Sequence, residues 1–111
     1  MSVQLTQQYV ALFNAKDIDG IAKLLTNDFI LEDPVVKRIH GKQDALATIL
    51  NIFNSCTQLS FIAKNIYQDQ MTTIIEFVLT LDHQVLTGTD IIDWDEMGQM
   101  IELRAYLDIP K

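Results

Sequence analysis

The first half of the chain has the hydrophobic pattern of helices. Three segments place apolar residues three or four positions apart, as in a helix with one buried face. The first helix begins near Ser2 and the second, a short one, near Asp17, because both residue types cap helix N-termini. The third follows Gly41, and a strand from about Phe29 to Glu32 precedes it. The three apolar stripes comprise Leu5, Tyr9, Leu12 and Phe13; Ile18, Ile21, Leu24 and Leu25; and Leu46, Ile49, Leu50 and Phe53.

From Leu59 onward, the pattern is that of strands. Four runs alternate apolar and polar residues: LSFIAKNIY, TTIIEFVLTL, QVLTGTDIIDW and QMIELRAYLDI. The segments between them are short enough for hairpins. A chain of 111 residues is long enough for one domain with one core. The order of elements therefore predicts a single α+β domain over residues 1–111, with three N-terminal helices packed on a curved, mostly antiparallel sheet.

The run TTIIEFVLTL is apolar on both faces, which has a consequence for assembly. Ile75, Phe77 and Leu79 occupy one face, and Ile74 and Val78 occupy the other. Three short helices can cover only one face of a sheet of four or five strands. The other face is expected to pack against a second copy in a homodimer, the commonest symmetric assembly. The alternative is an exposed apolar face without a partner.

Composition and charge exclude several classes of protein. The chain is 49% hydrophobic and 21% charged, which is typical of a folded domain, and its net charge is −7. Nucleic acids and anionic membranes attract basic patches, so neither is expected as a partner. Apolar runs are too short to span a membrane, and MSVQLTQQYV does not resemble a signal peptide. With Cys56 as the lone cysteine, no disulfide is expected and the predicted location is cytoplasmic.

No motif indicates a metal or a cofactor. His40 and His83 do not share a spacing suited to metal ligands, and they are interpreted as loop and turn residues. The four glycines are scattered rather than gathered in a phosphate-binding loop. We therefore expect a protein that works without a cofactor.

Asp33 and Tyr9 are the two residues whose positions suggest chemistry. Asp33 continues the alternation of Phe29 and Leu31, and Pro34 restricts the preceding residue to extended backbone angles. A carboxylate held among apolar side chains is a stronger base than one in water. Tyr9 shares a buried stripe, so its hydroxyl needs a polar partner. The alternatives are that Asp33 caps a turn and that Tyr9 is a core aromatic residue.

The order and spacing of three segments resemble a known group of proteins. The segments are YVALFNAKDIDGI, LEDPVVKRIHGKQDAL and DIIDWDEMGQMIELRAYL, and together they span nearly the whole chain. They are similar to the nuclear transport factor 2-like superfamily, and within it to ketosteroid isomerases and SnoaL-like polyketide cyclases. The resemblance implies a cystatin-like cone with a pocket between the helices and the concave face of the sheet.

The resemblance also implies roles for three residues. Asp33 matches the aspartate that acts as general base in ketosteroid isomerases, and Tyr9 matches the tyrosine that binds the developing oxyanion. The protonated aspartate of these enzymes aligns without gaps to Thr87, whose hydroxyl is a weaker donor. Asp90 would then lie on the opposite face of the same strand.

The expected pocket is apolar and suits a small hydrophobic carbonyl compound. Its predicted lining is Phe13, Leu25, Phe53, Phe61, Leu103, Ala105 and Leu107. Two functions remain open at this point. The first is a small enzyme, of isomerase or cyclase type, that removes a proton next to a carbonyl with Asp33 as base. The second is a non-catalytic ligand-binding or dimerisation module of the same fold.

Overall fold

Three helices pack on a six-stranded sheet in the computed structural model, which describes residues 2–35 and 37–108. The helices are α1 (Ser2–Asn14), α2 (Ile18–Leu24) and α3 (Lys42–Asn54). The strands are β1 (Leu25–Asp33), β2 (Lys37–His40), β3 (Leu59–Asp69), β4 (Thr72–Leu81), β5 (Gln84–Trp94) and β6 (Met100–Asp108). The predicted α+β architecture, with helices before a mostly antiparallel sheet, is confirmed.

The sheet is antiparallel except where its first and last long strands meet. The strand order is β2-β1-β6-β5-β4-β3, and β1 runs parallel to β6. The chain after α3 forms an antiparallel meander from β3 to β6, as the alternation predicts. This arrangement brings the N-terminal strand beside the C-terminal strand in the interior of the sheet.

Two local features differ from the sequence prediction. Leu25 was placed on the helical stripe of α2, but its backbone is extended and it begins β1. The short strand β2 was not predicted, because four residues with three exposed side chains carry no clear alternation. β2 pairs antiparallel with the end of β1, so that Asp33 lies opposite Lys37 at the turn between them.

One face of the sheet meets the helices and forms the core. On β4 the buried side chains are Thr73, Ile75, Phe77 and Leu79, and the intervening side chains are only partly buried. The core is completed by large apolar residues of the helices and of the other long strands, including Phe13, Ile21, Leu25, Phe29, Phe53, Phe61 and Met100. The two faces of β4 are therefore assigned as the alternation predicts.

A buried chain of hydrogen bonds attaches α1 to the sheet. The indole Nε1–H of Trp94 donates to Thr73 Oγ1 at 3.0 Å, and the hydroxyls of Thr73 and Thr6 are 2.7 Å apart. Thr6 in turn donates to the carbonyl oxygen of Ser2 at 2.8 Å. Because Tyr9 lies one turn after Thr6, this chain also sets where the Tyr9 ring enters the core.

None of the helices in the described residues has the length and apolar character needed to cross a membrane.

Candidate functional site

A cavity of about 80 Å³ lies between the helices and the concave face of the sheet. Side chains of α1, α3 and five strands line it, and most of them are apolar. Among the described residues that line the cavity, polar side-chain groups come from Tyr9, Asp33 and Asp90. The cavity therefore places two carboxyl groups and one phenol in an apolar surrounding.

Each of the three polar residues lies on the inward face of its helix or strand, as the repeat of that element requires. Tyr9 shares the buried face of α1 with Thr6 and Phe13. Asp33 is the last residue of β1 and comes two residues after Leu31, on the same inward face of the strand. Asp90 lies on β5 between β4 and β6, where it pairs with Ile75 on one side and Ala105 on the other. Helix and strand periods thus bring residues far apart in sequence to one site.

Asp90 is the most perturbed acid of the site. Asp90 is buried, with 5% of its surface exposed. Burial raises the pKa of Asp90 to about 8, and the negative charge of Asp33 contributes to the increase. At neutral pH the carboxyl group of Asp90 is therefore mainly protonated, and it can donate a hydrogen bond.

Burial also raises the pKa of the Tyr9 phenol. Its residue is 3% exposed, and burial raises the pKa of Tyr9 well above its usual value. The nearby Asp90 raises this pKa further. The ring packs against Phe13 and Phe61, with ring centroids at 5.9 and 6.3 Å. Tyr9 thus keeps its proton and is a second donor at the cavity.

Asp33 is only partly buried and also shapes the turn that follows it. Its Oδ1 accepts a hydrogen bond from the backbone N–H of Val35 at 2.8 Å, which is the geometry of an Asx turn. This contact orients the carboxylate, whose two oxygens together offer about four acceptor sites. The turn-capping interpretation and a position on the cavity are therefore both correct for Asp33.

The sequence matches the family model described as SnoaL-like domain over residues 6–103. This chain belongs to the SnoaL-like domain family. Among curated proteins, none matches the sequence.

Solved structures support the same fold for this SnoaL-like domain. A putative ketosteroid isomerase from Kribbella flavida superimposes with a TM-score of 0.86 at 19% identity, covering 99% of this chain and 79% of that chain. A putative SnoaL-like polyketide cyclase from Jannaschia sp. gives 0.83 at 17% identity, covering 96% and 85%. An epoxide hydrolase of M. tuberculosis, described as LEH-like, gives 0.79 at 15% identity, covering 96% and 82%. At these identities the likeness shows the fold.

Five of the seven apolar residues predicted to line the pocket of this SnoaL-like domain do so. They are Phe13, Phe61, Leu103, Ala105 and Leu107. Leu25 and Phe53 are buried in the core but do not reach the cavity. Both residues belong to helical apolar stripes in the sequence. Such a stripe predicts which side chains are buried, but it does not predict which of them line a cavity.

The structure does not bring Thr87 to the cavity, and this corrects the gap-free alignment. Thr87 is exposed and pairs with Val78 and Asp108 on the outer side of the sheet. The buried residues of β5 are Asp90, Ile92 and Trp94. Since neighbouring positions of a strand face opposite ways, Thr87 and Asp90 cannot both face inward, and Asp90 is the one that does.

Asp90 is the site residue that sequence reasoning missed. A signal for it was present, because Asp90 is in phase with Ile92 and Trp94, two large apolar residues of the same strand. An acid in phase with a buried stripe is a candidate for a functional group.

The remaining candidates for chemistry lie away from the cavity. His40 on β2 and His83 in the β4–β5 turn are exposed. Across residues 2–35 and 37–108, no group of three or more His, Cys, Asp or Glu side chains is arranged to hold a metal ion.

Proposed function

We propose that this SnoaL-like domain removes a proton next to the carbonyl group of a small hydrophobic substrate, as an isomerase or a cyclase does. The observation that carries the proposal is the pair Asp33 and Asp90 on one apolar cavity. Burial raises the pKa of Asp90 to about 8, so this acid keeps its proton at neutral pH and can donate a hydrogen bond beside Asp33. A buried acid that keeps its proton next to a second carboxyl group is a common arrangement for acid–base catalysis.

Asp33 is the proposed base. Its carboxylate takes the proton from the carbon next to the carbonyl, the electrons of that C–H bond form a carbon–carbon double bond, and the carbonyl π electrons move to oxygen. The protonated Asp33 then returns the proton to the same carbon or to one further along the conjugated system. The hydrogen bond from the Val35 N–H keeps the carboxylate oriented through both steps.

Tyr9 and Asp90 are the proposed donors to the enolate oxygen. Both are buried and both carry a proton at neutral pH, Tyr9 as any phenol does and Asp90 because burial raises its pKa to about 8. Donors held in place in an apolar cavity stabilise a developing negative charge more than water does, since they need not reorganise. Removing one such donor typically costs about a hundred-fold in rate.

The test is the exchange of the α-hydrogens of butanone in deuterium oxide, followed by proton NMR. The unaltered protein is expected to catalyse exchange, and Asp33→Asn is expected to lower the rate by about a hundred-fold or more. Asp90→Ala should lower it by about a hundred-fold. Asp28→Asn is the matched control, because Asp28 is an exposed acid of the same strand as Asp33.

Two outcomes would contradict the proposal. Exchange that is equally fast in Asp33→Asn would remove Asp33 as the base. Binding of butanone without any exchange would favour the non-catalytic ligand-binding module instead.

We also propose that the domain forms a homodimer through the outer face of the sheet. Three apolar or aromatic residues of this face are about half exposed, namely Ile62 at 56%, Tyr67 at 52% and Tyr106 at 52%. The helices cover the opposite face, so a second copy is the partner that would bury these side chains symmetrically.

A further inference from the structure

The volume of the cavity limits what the site can hold. Pockets that bind drug-sized molecules typically measure about 300 Å³ or more, whereas this cavity measures about 80 Å³. An engineered apolar cavity of about 150 Å³ in another protein takes up benzene. The cavity of this protein is about half as large as that one, so it favours a small molecule over a fused ring system.

Aromatic side chains explain why the cavity is small. Phe61 lies at the centre of a group of rings, with its centroid 4.8 Å from that of Phe13 and 5.1 Å from that of Phe77. Tyr9 contacts the same ring edge-on at 6.3 Å. Phe61 thus occupies space at the centre of the cavity lining that a larger substrate would need.

The Phe77 ring, which lines the cavity, packs closely against Gly88 on the neighbouring strand. Gly88 is its partner on β5, and a Cβ atom at Gly88 would lie 2.9 Å from Phe77 Cζ and 2.5 Å from the Tyr106 carbonyl oxygen. The ring of Phe77 therefore fills the space that any other residue at position 88 would need. This close packing leaves the ring no room to withdraw from the cavity.

The cavity opens on the side of Asp33. The last pair between β1 and β6 joins Glu32 to Arg104, whereas β6 continues to Asp108. Asp33 and Ala105 belong both to the cavity and to a groove on the surface. A substrate that enters here meets Asp33 first, with Tyr9 and the Phe61 ring beyond it.

We infer that the substrate is a short, acyclic ketone or aldehyde that can form an enolate, and that Phe61 sets the upper limit on its size. This inference rests on the proposed function. Fused-ring compounds such as steroids are excluded because the rings of Phe13, Phe61 and Phe77 fill the space that further rings of a substrate would need. The site then differs in substrate class from an isomerase that accepts steroids.

The experiment compares butanone, cyclohexanone and decalone, the last being a fused bicyclic ketone. Exchange of their α-hydrogens in deuterium oxide is followed by proton NMR, and binding is followed separately by ligand-observed NMR. The unaltered protein is expected to bind and exchange butanone and to discriminate against each larger ketone by about ten-fold or more. Phe61→Leu is expected to raise the rate with cyclohexanone relative to butanone by about ten-fold.

Phe53→Leu is the matched control for Phe61→Leu. Phe53 is buried and contacts Phe13 with ring centroids at 4.9 Å, but it does not line the cavity. The same change there loosens the core without widening the site, so the preference for butanone should remain. If Phe61→Leu does not fold, Ile52→Val tests the same point from α3, because Ile52 lines the cavity and is only partly buried.

The outcomes separate the inference from the proposed function. Decalone exchange as fast as butanone exchange would overturn the size limit and leave the chemistry in place. Size-selective binding without exchange would overturn the chemistry and support the size limit. A shift of preference in Phe53→Leu as large as in Phe61→Leu would overturn the role of Phe61.

Discussion

Asp33 and Asp90 have the same side chain in different surroundings, and the surroundings decide what each can do. Asp90 is enclosed between β4 and β6, and burial raises its pKa to about 8. Asp33 lies at the end of a strand, where a backbone N–H and a partly open surface surround its carboxylate. The negative charge of Asp33 adds to the increase in the pKa of Asp90, so the two surroundings are linked through space.

The raised pKa of Asp90 predicts how the stability of the protein depends on pH. A folded-state pKa of about 8 lies above the unfolded value near 3.8, so the folded protein keeps a proton that the unfolded chain releases in between. The stabilisation linked to this proton is complete below about pH 4 and is lost as the pH rises to about 8, at up to about 1.4 kcal/mol per pH unit.

Urea unfolding at about pH 5 and about pH 7.5 measures this loss. The free energy of unfolding of the unaltered protein is expected to fall more between the two conditions than that of Asp90→Asn, which has no proton to lose. The titrating groups that do not interact with Asp90 contribute equally to the two proteins, so their contributions cancel in the comparison. An equal fall in both would show that Asp90 does not retain its proton in the folded state.

On the outer face of the sheet, acidic and basic side chains alternate in a row that crosses several strands. Arg38 on β2 bonds to Glu32 at 2.9 Å and to Glu102 at 3.1 Å. Arg104 on β6 bonds to Glu102 and to Asp93, each at 2.8 Å. Partial burial alone would raise the pKa of Asp93, but hydrogen bonds from Arg104 and Thr72 lower it overall. These ion pairs connect four neighbouring strands: β2, β1, β6 and β5.

Arg104→Met is expected to lower the free energy of unfolding by about 1–2 kcal/mol, because Glu102 and Asp93 would then face each other without the shared cation. Arg38→Met is the control at the more exposed end of the row, where a smaller cost is expected because water surrounds more of the side chain. Urea unfolding at low and high salt measures both. Equal costs at the two positions would show that Arg104 does not act as the centre of a network.

For the whole molecule, the helices cover one face of the sheet and leave the other face available. The covered face holds the cavity, and the outer face combines the charged row with a half-exposed group formed by Ile62, Tyr67 and Tyr106. Val78 lies between these residues on β4, opposite Ile62 on β3 and Thr87 on β5. A homodimer through this face would bury Val78.

Light scattering at micromolar concentration is expected to give the mass of a dimer. Val78→Glu should shift it to a monomer, because the new charge would lose its water at the interface without gaining a partner. Met97→Glu adds the same charge at a residue that is 85% exposed in the β5–β6 hairpin, away from this face, and should leave the dimer intact. A monomer mass for the unaltered protein would contradict the proposal.

The sequence by itself was enough for the elements and for part of the site. Helical and alternating periods follow from which side chains must leave water, so the three helices, the long strands and the inward phase of Tyr9 and Asp33 could be predicted. The fold class followed from the order of these elements. Local periodicity carries this information because it depends on one element at a time.

Tertiary structure decided the rest. Whether Thr87 or Asp90 faces inward depends on the register of β5 with β4 and β6, since a shift of one residue exchanges the two faces of a strand. Whether Leu25 and Phe53 line a void or fill the core depends on how neighbouring elements pack against them. The pKa of Asp90 and the volume of the cavity likewise arise only when α1, α3 and five strands enclose one space. These properties depend on distances between residues far apart in sequence, which a pattern along the chain does not contain.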